Sequence, residues 1–119
     1  MMTLDEYFEG REPSRQLFDR LRNIIESIGA ADIRVTKSQV AFWRRKSFAL
    51  AWIPGKYLRG RGAPLVLTLS FHHRDPSPRW KEIVEPVPGR FTHHLELWSV
   101  ADLDGEVHAW LQRAWTETA

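Results

Sequence analysis

The strictest pattern in this chain is an alternation of two. Leu65, Leu67, Leu69 and Phe71 alternate with Val66, Thr68, Ser70 and His72. Successive side chains of a strand point to opposite faces, so the stretch predicts a strand with one buried face. The same period runs through Ile33–Thr36, Gln39–Arg44, Phe48–Ile53 and Phe91–Trp98. Towards both ends the period changes. Leu17, Phe18, Leu21, Ile24, Ile25 and Ile28 recur at helical spacing. Pro13 suits a first helical position and Gly29 a stop, which predicts a helix over Pro13–Ile28. Thr3 with Asp5-Glu6 suits a cap for a short turn, Leu4–Phe8, before it. Ser99-Val100-Ala101-Asp102 reads as a capping box ahead of a last helix. The apolar stripe of that helix is Leu103, Val107, Trp110, Leu111 and Ala114, with Trp115 at its margin.

Helices at the ends and strands between them leave no βαβ alternation, which argues against a parallel sheet. The expected fold is α+β in two layers: a mostly antiparallel five-stranded sheet with the N- and C-terminal helices packed on one face. A chain of 119 residues, with six Trp and six Phe, supplies one core, and a single domain over 1–119 is expected. Arg79–Val87 stays open. Ser77-Pro78 could start a short helix with Trp80, Ile83 and Val84 on one side, or the stretch could be a strand.

The hairpin around Arg44-Arg45-Lys46-Ser47 sets which side chains share a face. A three-residue loop, Arg45–Ser47, would gather Val40, Phe42, Phe48, Leu50 and Trp52 on the core side. Ala41, Trp43, Ala49 and Ala51 would then lie on the open face with Arg34, Thr36, Thr68, Ser70, His72, Thr92, His94, Glu96 and Trp98.

Charge is unevenly placed. The chain carries a net charge of +2, yet every Asp and Glu lies outside the span between Asp32 and Asp75, which holds Arg34, Lys37, Arg44, Arg45, Lys46, Lys56, Arg59, Arg61 and Arg74. Such a block marks a candidate surface for an anionic partner, nucleic acid among them. Trp43, Arg44, Arg45 and Lys46 on the hairpin, with Lys56, Arg59 and Arg61 in the loop after it, form the candidate ligand-binding face. Cations neutralise phosphates, and an exposed indole stacks on a base. A protein-interaction or homodimer module, with the basic block meeting acidic ends of another chain, is the alternative.

Enzyme chemistry finds little support. There is no Cys, which excludes thiol nucleophiles and thiolate metal sites. Gly60-Arg61-Gly62 lacks the third glycine and helix of a dinucleotide fingerprint, and Gly55-Lys56 lacks the rest of a P-loop. His94-Leu95-Glu96 matches only half of a zinc deaminase signature. No serine sits in a nucleophile elbow. Asp102 and Asp104 are accounted for by a helix N-terminus. No cofactor is expected. A weaker possibility is a metal held by His72, His94 and Glu96, should their strands be neighbours. His93, of opposite parity, reads as a core histidine.

The N-terminus lacks a basic n-region, so no signal peptide is expected, and no apolar run is long enough to span a bilayer. A soluble, cytoplasmic protein without a membrane contact is the expectation.

Several stretches read together. They are Lys37–Phe42, the hairpin to Phe48, Pro64–Ser70, Arg90–Leu97, Asp102-Leu103-Asp104 and Ala109–Trp115. From about Leu17 to Trp115 the chain resembles the bacterial domain-of-unknown-function family numbered 5655. The resemblance implies a small α/β domain and brings no activity, cofactor or catalytic residue. Ala114-Trp115 departs from a pattern that has Ala-Tyr there, a difference that touches only a hydroxyl.

Overall fold

The computed structural model describes residues 2–56 and 62–118. Two long helices form where the 3.6 period runs: α2 (Glu12–Ile28), with a proline in its first turn, and α3 (Gly105–Thr116). A one-turn helix, α1 (Leu4–Tyr7), precedes them, closed by a reciprocal capping box between Thr3 and Glu6. The Ser99–Asp102 capping box is also present. It closes a 3-10 turn, Val100–Asp102, and α3 itself starts from an Asp104 N-cap whose carboxylate accepts the Val107 N–H. The Asp104 carboxyl is held below its ordinary value, first by that amide and then by Arg79.

The strands are β1 (Asp32–Val35), β2 (Val40–Arg44), β3 (Lys46–Trp52), β4 (Leu65–Phe71), β5 (Glu82–Val87) and β6 (Arg90–Leu97). They form one antiparallel sheet of six strands in the order β1-β2-β3-β4-β6-β5. The sheet therefore has six strands where five were expected. The additional one is β5, and no helix forms at Ser77-Pro78. Pro88-Gly89, with Gly89 at φ 79°, closes the β5–β6 hairpin, and Pro86 lies where the register slips between Val84 and Val87. A proline is tolerated there because β5 is an edge strand with a bulge.

The register of β2 against β3 decides the two faces. Arg44 pairs with Lys46 around a single residue, Arg45, at φ 68°, and Trp43 pairs with Ser47. Phe42 then pairs with Ala49, so Phe48 is an extra residue in β3. The expected parity holds as far as Phe48, which packs in the core against Phe42. Beyond it every side chain is reversed. Ala49 and Ala51 belong to the core and Leu50 and Trp52 to the opposite face, which corrects the expectation that placed them the other way round. Small residues suit this place, because α3 crosses β3 and β4 there.

One side of the sheet carries Val40, Phe42, Ala49, Ala51, Leu65, Leu67, Leu69, Phe71, Leu95 and Leu97, all in one buried cluster with Phe18, Leu21, Ile25, Val107 and Leu111 from the helices. Phe18 of α2 lies 5.8 Å from Phe42 of β2, and Arg113 of α3 sits 4.1 Å over Phe71 of β4. Polar clamps tie the ends together. Asp75 accepts from the Trp80 indole N–H and the Ser77 N–H, and meets Arg113 at 3.4 Å. Arg79 pairs with Asp104 and Glu106 and donates to the Asp102 carbonyl.

The last helix is locked to α2 through Trp115, whose indole N–H donates to the Ala30 carbonyl. Gly29 leaves room for this ring: a Cβ there would stand 2.3 Å from it. Gly29 has an extended backbone, so the demand is for space and not for an unusual φ. Gly29→Ala is expected to cost about 1–3 kcal/mol by overpacking. Urea unfolding should show that loss shrinking in a Trp115→Ala background, where the ring is gone.

Candidate functional site

The face opposite the helices is built from side chains of the other parity: Arg34 on β1, Ala41 and Trp43 on β2, Leu50 and Trp52 on β3. Val66, Thr68 and Ser70 follow on β4, then Thr92, His94 and Glu96 on β6. Three features lie on it.

At the β1–β2 end the Arg34 guanidinium lies 3.8 Å over the Trp43 ring. Arg34 is exposed and Trp43 half-buried, so the pair forms a flat cationic platform at the sheet margin. In the middle runs a groove of about 410 Å³ between β3 and the curled β5–β6 hairpin. Ser47, Thr68, Ser70, Thr92, Gln39 and Arg90 supply its polar groups, and no carboxylate lines it.

At the far end a cavity of about 310 Å³ opens beside Trp52, Pro54 and Val66. A hydrogen-bonded chain links it to the groove. The Trp52 indole N–H donates to Thr68 Oγ1 at 2.9 Å, and Thr68 Oγ1 lies 2.8 Å from His94 Nδ1. The indole N–H donates, and among the described residues the buried Thr68 hydroxyl has no other acceptor for its own proton, so the arrangement that satisfies all three groups has Thr68 donating to Nδ1. Neutral His94 then carries its proton on Nε2. Burial holds the His94 pKa below its ordinary value, which keeps the ring neutral. Lys81 and Glu96 pair at 3.0 Å on the rim.

The expected site residues divide. Trp43 lies on the open face. Arg45 and Lys46 are exposed at the hairpin tip. Arg44 does not join them: it stacks 3.4 Å over the Trp115 ring and donates to the Trp115 carbonyl at 2.9 Å, on the helix side. It serves as a C-terminal cap for α3, where a cation is favoured. The Lys56 side chain, Arg59 and Arg61 lie outside the described residues.

The metal arrangement does not form. His94 is opposite Thr68, and His72 is four positions further along that strand, so roughly 13 Å of strand separates them. His72 instead faces Glu117, while Glu96 holds Lys81. Among the described residues no three His, Cys, Asp or Glu side chains are placed to hold a metal ion. His93 is the core histidine its parity implied. Nε2 accepts the Asp75 N–H at 2.9 Å, Nδ1 is 3.1 Å from the Phe91 carbonyl, and Phe71 and Trp80 enclose the ring.

Reasoning from sequence missed Trp52, Arg90 and Glu82 as members of this face. Trp52 was hidden by the bulge at Phe48. Glu82 lies in the stretch whose spacing suits a helix or a strand, and Arg90 stands one residue before the alternation at Phe91.

The fold is α+β, with helices on one face of an antiparallel sheet and a bare, grooved opposite face. The chain belongs to the family described as Domain of unknown function (DUF5655), whose model matches residues 4–118. No curated protein and no solved structure matches it. Among the described residues no helix is long and apolar enough to cross a membrane.

Burial lowers the pKa of His93 as well as that of His94. Unfolded, both imidazoles titrate near about 6.5. Below that value the unfolded chain takes up protons that the folded chain refuses, so stability is full above about pH 6.5 and falls as pH drops towards the folded values. Urea unfolding at a series of pH values should show this decline. His93→Gln should be less stable at pH 7.5 and have a flatter profile between about pH 7 and 5.

Proposed function

We propose that this domain is a non-enzymatic binding module whose bare sheet face receives single-stranded nucleic acid. The observation that carries the reading is the groove between β3 and the β5–β6 hairpin. Hydroxyls of Ser47, Ser70 and Thr92 line it with Arg90, and it contains no carboxylate. Phosphate and sugar oxygens are bound by such hydroxyls and by arginine, and a carboxylate there would repel them. The Arg34–Trp43 platform adds a stacking surface with positive charge. Exposed Arg45 and Lys46 extend the positive field around the hairpin tip.

The β5 edge supports a self-associating module less well. Val84 and Val87 are 38% and 52% exposed, but the register slip and Pro86 break the run of free backbone groups that strand addition needs.

Fluorescence anisotropy with labelled single-stranded and duplex oligonucleotides over a salt series tests the reading. Tighter binding of single strands is expected, with affinity falling as salt rises. Arg34→Ala, Lys46→Ala and Arg90→Ala should each flatten the salt slope by about 0.7, and Trp43→Ala should cost about 1–3 kcal/mol of binding. Arg44→Ala should leave the slope alone and lower the stability of the fold. No binding at low salt, or binding indifferent to Arg34, Lys46 and Arg90 together, would remove the proposal.

A further inference from the structure

The cavity beside Trp52 has a different chemistry from the groove that leads to it. Its volume, about 310 Å³, reaches the range of small-ligand pockets, roughly 300–1,000 Å³. Trp52, Pro54 and Val66 form apolar walls, and the polar side chains are Lys81, Glu82, His94 and Glu96. His94 Nδ1 is occupied by Thr68. Among the described residues Nε2 has no partner, and no buried side-chain nitrogen or oxygen there lacks one. Nε2 therefore opens to the cavity. Glu82 is the residue directly across from His94 in the β5–β6 register. Cross-strand neighbours have Cβ atoms about 4.5–5.5 Å apart, and both side chains line the cavity. Glu96 is engaged by Lys81 at 3.0 Å, while Glu82 has no ion pair among the described residues.

The cavity thus sets a neutral N–H donor next to an unpaired carboxylate acceptor, with an indole alongside. A simple cation would match Glu82 and leave the imidazole N–H without an acceptor. A phosphate or carboxylate would accept from His94 and be opposed by Glu82. What matches both is a flat, neutral ring with an acceptor and a donor on adjacent positions of one edge. The indole of Trp52 points its Nε1 edge at Thr68 and so towards His94. The two rings are close to perpendicular, at 87°. A planar ligand resting against the indole therefore has the imidazole at its rim.

We infer that this cavity is a nucleobase subsite, in which the base stacks against Trp52, accepts from His94 Nε2–H and donates an amino or imino N–H to Glu82. The inference rests on the reading of the face as a single-strand surface and adds the element that reads a base. The groove supplies contacts blind to sequence, and this cavity supplies the selective one. The base comes either from a bound strand or from a free nucleotide.

The test combines anisotropy on homo-octamers of the four deoxynucleotides with calorimetry on the four nucleoside 5′-monophosphates. Wild-type protein, Glu82→Gln and His94→Phe are compared. Glu82 is exposed, so its amide variant keeps the fold whatever becomes of the His94 variant. The expected result is a preference of about tenfold for one octamer, lost in Glu82→Gln with the salt slope unchanged. Equal affinity for all four octamers, or a preference that survives in both variants, overturns the subsite and leaves the groove reading standing. Monophosphate binding that depends on Glu82, without octamer binding, upholds the subsite for free nucleotides and removes the strand reading. Absence of all binding overturns both.

Discussion

One extra residue in β3 governs this molecule. A strand assigns faces by parity, and a single insertion exchanges them. Phe48 is that insertion. Because it is there, Phe48 and Ala49 both turn to the helices, Ala51 follows, and the bulky Leu50 and Trp52 go to the other side. The alanines let α3 lie close over the middle of the sheet. The displaced indole of Trp52 becomes available to Thr68 and through it to His94. Packing on one face and polar chemistry on the other thus follow from one irregularity.

The two faces have separated roles. On the helix side nearly every polar group is spoken for by another part of the fold. Asp75 joins Trp80, Ser77 and Arg113, His93 joins Asp75 and Phe91, and Arg44 joins Trp115. Trp115 reaches in turn over Gly29 to the Ala30 carbonyl. These contacts tie α2, α3 and the loop after β4 to one another. On the bare side, among the described residues, His94 Nε2 has no partner and Glu82 has no ion pair. A surface that the fold does not need for its own stability is one that a ligand can occupy.

Much of this was legible in the residues. Alternation at Leu65–Phe71 and Phe91–Trp98 placed β4 and β6, and it put His93 inside and Thr68, Ser70, Thr92 and His94 together outside. The stripes from Leu17 to Ile28 and from Leu103 to Ala114 placed the helices. Three things were not legible, each for a physical reason. The bulge at Phe48 has no glycine or proline to announce it, so parity was followed one residue too far. The stretch before Val87 mixes Trp80, Ile83 and Val84 at a spacing that suits a helical face or an edge strand, and only pairing with β6 decides it. Arg44 sits in a run of three basic residues that looks uniform, and the carbonyl end of a helix distant in sequence withdraws it from the others. The basic block from Arg34 to Arg74 is accordingly not one surface: the fold divides it between its two sides.

The central claim is that ligand binding belongs to the bare face, and the indole N–H signals test it directly. Of the six tryptophans, Trp43 and Trp52 lie on the bare side and Trp80, Trp110 and Trp115 on the helix side. A nitrogen-15 NMR titration with a single-stranded oligonucleotide should move the indole signals of Trp43 and Trp52. Those of Trp80, Trp110 and Trp115, packed among the helices and the loop after β4, should stay in place. Shifts at Trp80, Trp110 or Trp115 with Trp43 and Trp52 unmoved would contradict the account.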